Sequence, residues 1–246
     1  MVSKSQIKLI KSLSQKKFRN THGLFVVEGV KGIKEFLNSD YELVSVYSTG
    51  ESFELTGKKL IMIDEKELNK ISSLKTPQKA LAVFKIPPLK KSNINGLTVA
   101  LDGVRDPGNL GTIIRLCDWF GVETLICSND TVDCYNPKVV QASMGSLPRL
   151  NIQYLDLNDF IVENKNIPIL GTMLEGENLY TAKLPKSAIL VLGNEANGIS
   201  AEIQKLLTKK LNIPQFGQAQ KTESLNVATA TAVILSEFRR NSATEK

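Results

Sequence analysis

From Leu97 onward the chain repeats one pattern: a short apolar run, a loop rich in glycine and asparagine, then a helical stretch. Leu97–Leu101 leads through Asp102-Gly-Val-Arg-Asp-Pro-Gly-Asn109 into a helix over Leu110–Phe120. Ala188–Leu192 leads through Gly193-Asn-Glu-Ala-Asn-Gly198 into a helix near Ala201–Leu207. Lys210–Ile213 leads through Pro214–Thr222 into a long helix of about Ser224–Arg240, and Thr124–Cys127 and Ile167–Thr172 read as two further strands. Strands alternating with helices specify a parallel sheet, which presents its ligand at the carboxyl ends of its strands.

The front of the chain reads differently. Lys85-Ile-Pro-Pro-Leu-Lys-Lys-Ser-Asn-Ile-Asn-Gly96 is the best boundary: two prolines, then polar residues and glycine, between two segments of clear periodicity. Before it, Ser3 can cap a helix carrying Ile7, Ile10 and Leu13, and Leu24–Val27 reads as a buried strand followed by a helix through Ile33, Phe36 and Leu37. Leu43–Tyr47, Lys59–Ile63 and Ala80–Phe84 read as strands and Glu65–Leu74 as a helix. The expected organisation is a small mixed α/β domain over 1–90, a linker over 91–96 and a parallel α/β domain over 97–246.

Charge follows the same division. Up to Asn95 there are 17 Lys and Arg against 9 Asp and Glu; from Gly96 there are 14 against 16. No acid precedes Glu28, whereas Lys4, Lys8, Lys11, Lys16, Lys17 and Arg19 all do, so the front half is expected to dock a polyanion. The three cysteines, Cys117, Cys127 and Cys134, form no C-x-x-C pair, and the single histidine, His22, argues against a Ser–His–Asp triad and against multi-histidine metal sites. No apolar run is long enough to span a membrane and no secretory signal is evident, so a reducing cytoplasm is the expected location, with neither membrane nor metal as a partner.

The loops carry the chemistry. Asp106-Pro-Gly-Asn109 reads as a type II turn, with Asn109 capping the next helix and leaving its N–H groups as an anion site. Arg115 lies four residues after Gly111, on the same helical face, where its guanidinium can run back to the loop mouth and grip a phosphate. Gly193 and Gly198 permit close approach or positive φ, and Glu195 is a carboxylate at a strand's end. Ser224 is the expected cap of the last helix, and Asn226, beside the apolar run Val227–Leu235, either stitches loops together or meets a substrate. There is no G-x-G-x-x-G and no Walker A motif, which argues against a nicotinamide-dependent oxidoreductase or an NTPase.

Together these residues resemble the SpoU (TrmH-like) family of RNA ribose 2′-O-methyltransferases. Asn109-x-Gly111-x-x-x-Arg115 is similar to its first motif, Leu190–Ser200 to its second, and Ile213-Pro with Glu223-Ser224-Leu225-Asn226-Val to its third. Arg19–Glu35 resembles the substrate-binding domain that many members carry in front. The resemblance implies that 97–246 is a methyltransferase domain whose carboxyl-terminal part forms a deep trefoil knot, that 1–90 binds RNA, and that the active site lies in a homodimer. It implies S-adenosylmethionine as cofactor, held by Thr172, Leu192, Gly193, Gly198, Ile213 and Leu225, with Asn109, Arg115, Glu195, Ser224 and Asn226 as the catalytic surround and no metal. Ribosomal RNA is the expected substrate; transfer RNA, or an inactive RNA-binding assembly factor of the same fold, are the alternatives. Two positions depart from the family pattern: Pro214–Thr222 is about three residues longer than many equivalents, and Gln141 stands where many relatives carry arginine.

Overall fold

A computed structural model describes residues 1–243 except 51, 52, 54, 56–58, 89–93, 95, 195 and 218–223. The chain forms two compact units, Met1–Leu89 with Asp133–Arg149, and Lys90–Val132 with Leu150–Lys246.

In the first unit, helices α1 (Lys4–Ser12) and α2 (Lys16–His22) precede strand β1 (Leu24–Glu28), helix α3 (Val30–Leu37), strands β2 (Leu43–Ser48) and β3 (Leu60–Met62), helix α4 (Glu65–Ile71) and strand β4 (Ala80–Lys85). Ser3 caps α1 as expected: its hydroxyl accepts from Gln6 N, and Gln6 Oε1 accepts in turn from Ser3 N at 2.8 Å. The sheet order is β1-β4-β2-β3, with β4 antiparallel to both neighbours and β2 parallel to β3. Strand residues alternate between faces. Val26 and Val83 join Ile10, Leu13, Leu68 and Ile71 in one core, while Phe25 and Phe84 join Phe36 in an aromatic cluster.

The second unit is built on a six-stranded, wholly parallel sheet. In chain order its elements are β5 (Leu97–Asp102), α5 (Pro107–Trp119), β6 (Thr124–Ser128), β7 (Asn151–Leu155), α7 (Leu157–Glu163), β8 (Ile169–Asn178), β9 (Ala188–Gly193), α8 (Ala201–Gln204), β10 (Lys209–Asn212) and α9 (Val227–Ala243). The strand order is β10-β8-β9-β5-β6-β7. Strands β5, β6 and β9 are apolar and buried almost throughout, as a sheet covered on both faces requires. Strand β7 is an addition to the expected set; it is a short edge strand, half-buried along its whole length, whose Asn151-Ile-Gln-Tyr-Leu155 offers only two polar–apolar alternations. Helices α4, α8 and α9 are shorter at one end than their apolar patterns suggest.

Pairing within this sheet is uneven. β5 and β9 stay in register from Leu97↔Ala188 to Asp102↔Gly193. β8 and β9 pair only from Ile169↔Ile189 to Gly171↔Val191. The β10–β8 ladder then slips, Lys210 facing Gly171 but Leu211 facing Glu177, so Thr172–Gly176 bulges out of register. A seam therefore opens between β8 and β9 on the carboxyl side.

The segment Asp133–Arg149, which the sequence places in the parallel α/β domain, packs with the first unit. It contains helix α6 (Pro137–Ala142) and a 3-10 turn at Leu147–Arg149. Its Asp133 carboxylate accepts from Arg19 Nε at 2.9 Å and from Nη2, and Arg19 Nη1 donates to the carbonyls of Leu13 and Ser14 at 2.8 and 2.9 Å. Arg19 is only 1% exposed. The expected phosphate contact at Arg19 is thus corrected: this guanidinium closes the end of α1 and holds the Asp133–Arg149 segment. Tyr135 packs against Phe25 with its ring tilted by 42° and ring centroids 4.7 Å apart, and its hydroxyl lies 3.2 Å from that of Tyr41. Burial pushes both phenols up, Tyr41 to about 12, so the pair stays neutral. Arg149 completes the set with an ion pair to Glu35 at 2.7 Å.

Candidate active site

The loop after β5 is a helix start rather than a type II turn. Asp106, not Asn109, is the N-cap: its Oδ1 accepts from Asn109 N at 2.8 Å, and Pro107 occupies the first helical position. Proline has the backbone angle and the missing N–H that this position favours, and Gly108 keeps a negative φ, which a type II turn does not allow. Asn109 is therefore half-buried in the first turn of α5. Helix α5 buries Leu110, Ile113, Ile114 and Cys117 and leaves Arg115 exposed. Among the described residues no acid pairs with Arg115. Arg105, by contrast, is bound to Asp130 at 3.0 Å; a hydrogen bond from Ser128 and this guanidinium hold the Asp130 carboxyl below its usual range.

The loop after β9 folds straight back on its own strand. Asn194 N donates to Gly198 O at 2.9 Å and Gly198 N to Asn194 O at 2.8 Å. A side chain at Gly193 would put its Cβ 2.1 Å from the Gly198 carbonyl carbon, and Gly198 has φ +67°, so both positions need glycine. Asn194, which the motif reading passes over, does most to shape the loop. Its Oδ1 accepts from Ala196 N at 2.9 Å, and its Nδ2 donates to Gly103 O at 2.6 Å. The same loop is tied to β5 again where Ser200 N donates to Asp102 Oδ2 at 2.7 Å. The Asx-turn that Asn194 makes was a readable signal, since asparagine after a strand-ending glycine favours such a turn. Glu195 lies outside the described residues.

The third loop joins the same place. Asn226, not Ser224, caps α9, its Oδ1 accepting from Ala228 N and Thr229 N at 3.0 and 3.2 Å. Its Nδ2 donates to Asn109 Oδ1 at 2.9 Å. The first loop is thus bonded to the second through Gly103–Asn194 and to the third through Asn109–Asn226. Ser224 and Leu225 are exposed, and most of Pro214–Thr222 lies outside the described residues. Helix α9 packs on α5 and β9 and buries Val227, Thr231, Ile234, Leu235 and Phe238; Arg239 donates to Phe120 O and Gly121 O, closing the end of α5. Its apolar face is therefore consumed largely within this subunit.

The seam between β8 and β9 tests whether these residues fit a bound nucleoside-like cofactor. Thr172 sits in the β8 bulge, Leu192 and Gly193 lie beyond the last β8–β9 pair, and Ile213 follows the last paired residue of β10. Backbone donors and acceptors outside a ladder need partners, and the carboxyl end of a parallel sheet is where ligands supply them. The donor set, main-chain groups beside apolar side chains and glycines, fits an adenosine-bearing cofactor. Among the described residues no group of three His, Cys, Asp or Glu could hold a metal ion. Cys117, Cys127 and Cys134 are all buried, and burial pushes the thiols of the first two far up.

Comparison with known proteins agrees with this geometry. The SpoU rRNA Methylase family matches residues 96–236, and the MRM3-like substrate binding domain matches residues 4–82. The chain is 31% identical to the 23S rRNA (guanosine(2553)-2'-O)-methyltransferase RlmP of Bacillus subtilis, over 95% of this chain and 96% of that protein. A solved structure from Porphyromonas gingivalis, assigned to the TrmH family of RNA methyltransferases, superposes with a TM-score of 0.90 at 40% identity, covering 98% of this chain and 99% of that one. The SpoU methyltransferase AviRb from Streptomyces viridochromogenes, solved in complex with AdoMet, gives a TM-score of 0.85 at 25% identity, covering 98% and 99%. Fold, loop geometry and sequence agree, and the chain belongs to the SpoU rRNA methylase family.

Proposed function

We propose that this protein transfers a methyl group from S-adenosylmethionine to a ribose 2′-hydroxyl of ribosomal RNA. The observation that carries the reading is the union of three loops at the carboxyl ends of β5, β9 and β10, beside the open β8–β9 seam and with an exposed Arg115 on α5. Thr172, Leu192, Gly193, Gly198, Ile213 and Leu225 hold the cofactor, chiefly through their backbones. Asn109, Arg115, Glu195, Ser224 and Asn226 surround the substrate ribose.

The cofactor supplies a methyl group already activated on a sulfonium, so the protein's task is alignment, which is worth ~7–11 kcal/mol in favourable cases. A guanidinium stays protonated at neutral pH and is a poor base. Arg115 acts instead as a grip on the neighbouring phosphate, lowering the energy of the alkoxide that forms as the 2′-hydroxyl passes its proton to that phosphate, to water or to Glu195.

Division of labour follows charge. Residues 1–90 dock the RNA and 97–246 bind the cofactor and carry out transfer. Lys4, Lys8 and Lys11 lie along the exposed side of α1, suited to a phosphate backbone. A homodimer completes the active site; the exposed Trp119, Leu174 and Phe216 of the second unit are apolar surface for a second copy to cover. The cytoplasm, where ribosomal RNA is met, is the place of action. Incubation with tritiated S-adenosylmethionine and ribosomal RNA, followed by mapping of 2′-O-methylation, tests the reading. Label that appears only in transfer RNA, or on a base, would overturn it, and light scattering that finds an active monomer would remove the dimer.

A further inference from the structure

The stretch Lys138–Leu147, which packs with the first unit, is largely buried, and its exposed positions recur at every third residue: Lys138, Gln141 and Met144. Among the described residues Met144 is also the one non-glycine with a positive φ, +52°. In that left-handed region a Cβ crowds the next carbonyl, and the residue that follows a helix there is ordinarily glycine. The surroundings hold Met144 in place. Ser143 N donates to Val139 O at 2.9 Å, Met144 N to Gln141 O at 3.2 Å, and Ser146 N to Ser143 O at 3.0 Å. Gly145 follows with φ +89°, and a Cβ on it would meet Glu35 Cγ at 2.6 Å. Glycine thus stands where packing demands it. At the preceding position a side chain is kept against the backbone's preference, with 51% of its surface in water. Neither the turn nor the core accounts for a thioether there, and strain of this kind collects where a side chain meets a ligand.

We infer that Met144 packs on the face of an unpaired nucleobase of the RNA, with Gln141 on a base edge and Lys138 on a phosphate. This rests on the RNA methyltransferase reading above. An unstacked base offers an apolar, polarisable face and a polar edge, tethered to an anionic backbone. Methionine is unbranched and polarisable and makes favourable contacts with aromatic rings. The glutamine amide both donates and accepts, and the lysine ammonium suits a phosphate. Among the described residues neither the Lys138 ammonium nor the Gln141 amide has a hydrogen-bond or ion-pair partner. Charge also favours this occupant, since residues up to Asn95 carry 17 Lys and Arg against 9 Asp and Glu. A second copy of the chain is the other occupant to weigh. A single thioether between an ammonium and an amide is a poor apolar patch for one.

Stability and RNA affinity should move in opposite directions when the side chain is removed. Met144→Gly relieves the backbone, so the melting temperature should hold or rise by roughly 2 °C. Its affinity for a ribosomal RNA fragment, read by fluorescence anisotropy, should fall roughly 10-fold, and by the same factor at every salt concentration. Met144→Leu, which keeps the apolar bulk, should stay within about threefold of the wild type. Lys138→Gln should instead flatten the salt slope by roughly 0.7–0.9. In full-length protein labelled with methyl-13C methionine, the signal that Met144→Leu removes identifies Met144. Saturation with the fragment should move that signal upfield, as the ring current above a base requires, and a fully duplex RNA should leave it in place. An unmoved signal at saturation, or unchanged affinity in folded Met144→Gly, overturns the inference. So does a signal that shifts when the protein alone is concentrated, which would assign the surface to a second copy. Protein that binds the fragment but methylates no RNA would refute the functional reading, with Met144 still judged by affinity and spectrum. Absence of any binding overturns both.

Discussion

Helices α2 and α5 each present an arginine on a chain read as basic and RNA-directed, and the two arginines do opposite things. Arg19 of α2 is 1% exposed and spends its N–H groups on Asp133, Leu13 and Ser14. Arg115 of α5 is exposed, and among the described residues no acid neutralises it. Charge counted along a sequence treats them alike. What separates them, among the described residues, is that the fold supplies a counter-charge to Arg19 and none to Arg115, and a cation without one is suited to a partner's phosphate.

The largest effect that would break this contrast is expected at Arg19. Arg19→Met leaves the partly buried Asp133 carboxylate without its cation, which costs about 3–5 kcal/mol. Thermal denaturation should show a fall of roughly 10 °C in melting temperature. A variant that melts like the wild type but binds RNA with a lower salt slope would return Arg19 to the substrate. Next in size, Arg115→Ala should lower methyl transfer about 100- to 1,000-fold while leaving the fold intact and cofactor affinity nearly unchanged. Tritium transfer and isothermal titration separate those quantities, and near-normal turnover removes Arg115 from the mechanism.

Gly193→Ala sharpens the comparison from the cofactor side. A Cβ there meets backbone at 2.1 Å, so the loop after β9 must move, at a cost of ~1–3 kcal/mol. The expected outcome is a cofactor affinity at least about tenfold weaker by titration, with RNA binding retained. Smallest per residue are the exposed lysines Lys4, Lys8, Lys11, Lys16 and Lys17. Each one changed to glutamine should flatten the log–log salt slope of RNA binding by roughly 0.7–0.9, without touching cofactor affinity. Fluorescence anisotropy across a salt series reads this directly, and an unchanged slope in the five-site variant would make the basic front an ordinary solvated surface.

The parallel sheet and its three loops were legible because each strand is a buried apolar run and each loop opens with residues that only a special backbone needs. Gly193 and Gly198 are the clearest cases. Caps were less legible. Asp106 and Asn109, like Ser224 and Asn226, are all competent capping residues within one turn of each other, and composition cannot say which one the helix selects. Least legible was Arg19, whose partner Asp133 lies 114 residues further along the chain. A contact at that separation leaves no periodic trace, and the segment that carries it was read, by position, as part of the parallel domain.

That long-range closure has a consequence for how the protein is made. A ribosome delivers α1 and α2 early, but the first unit is finished only when Asp133–Arg149 has emerged. At a synthesis rate of ~5–20 residues per second, the wait from Leu89 to Arg149 is about 3–12 s. For the first 44–46 residues of that interval Arg19 has no Asp133 carboxylate and Phe25 lacks the ring of Tyr135. A fragment cut at the linker would lack Asp133–Arg149 and inherit that incompleteness permanently.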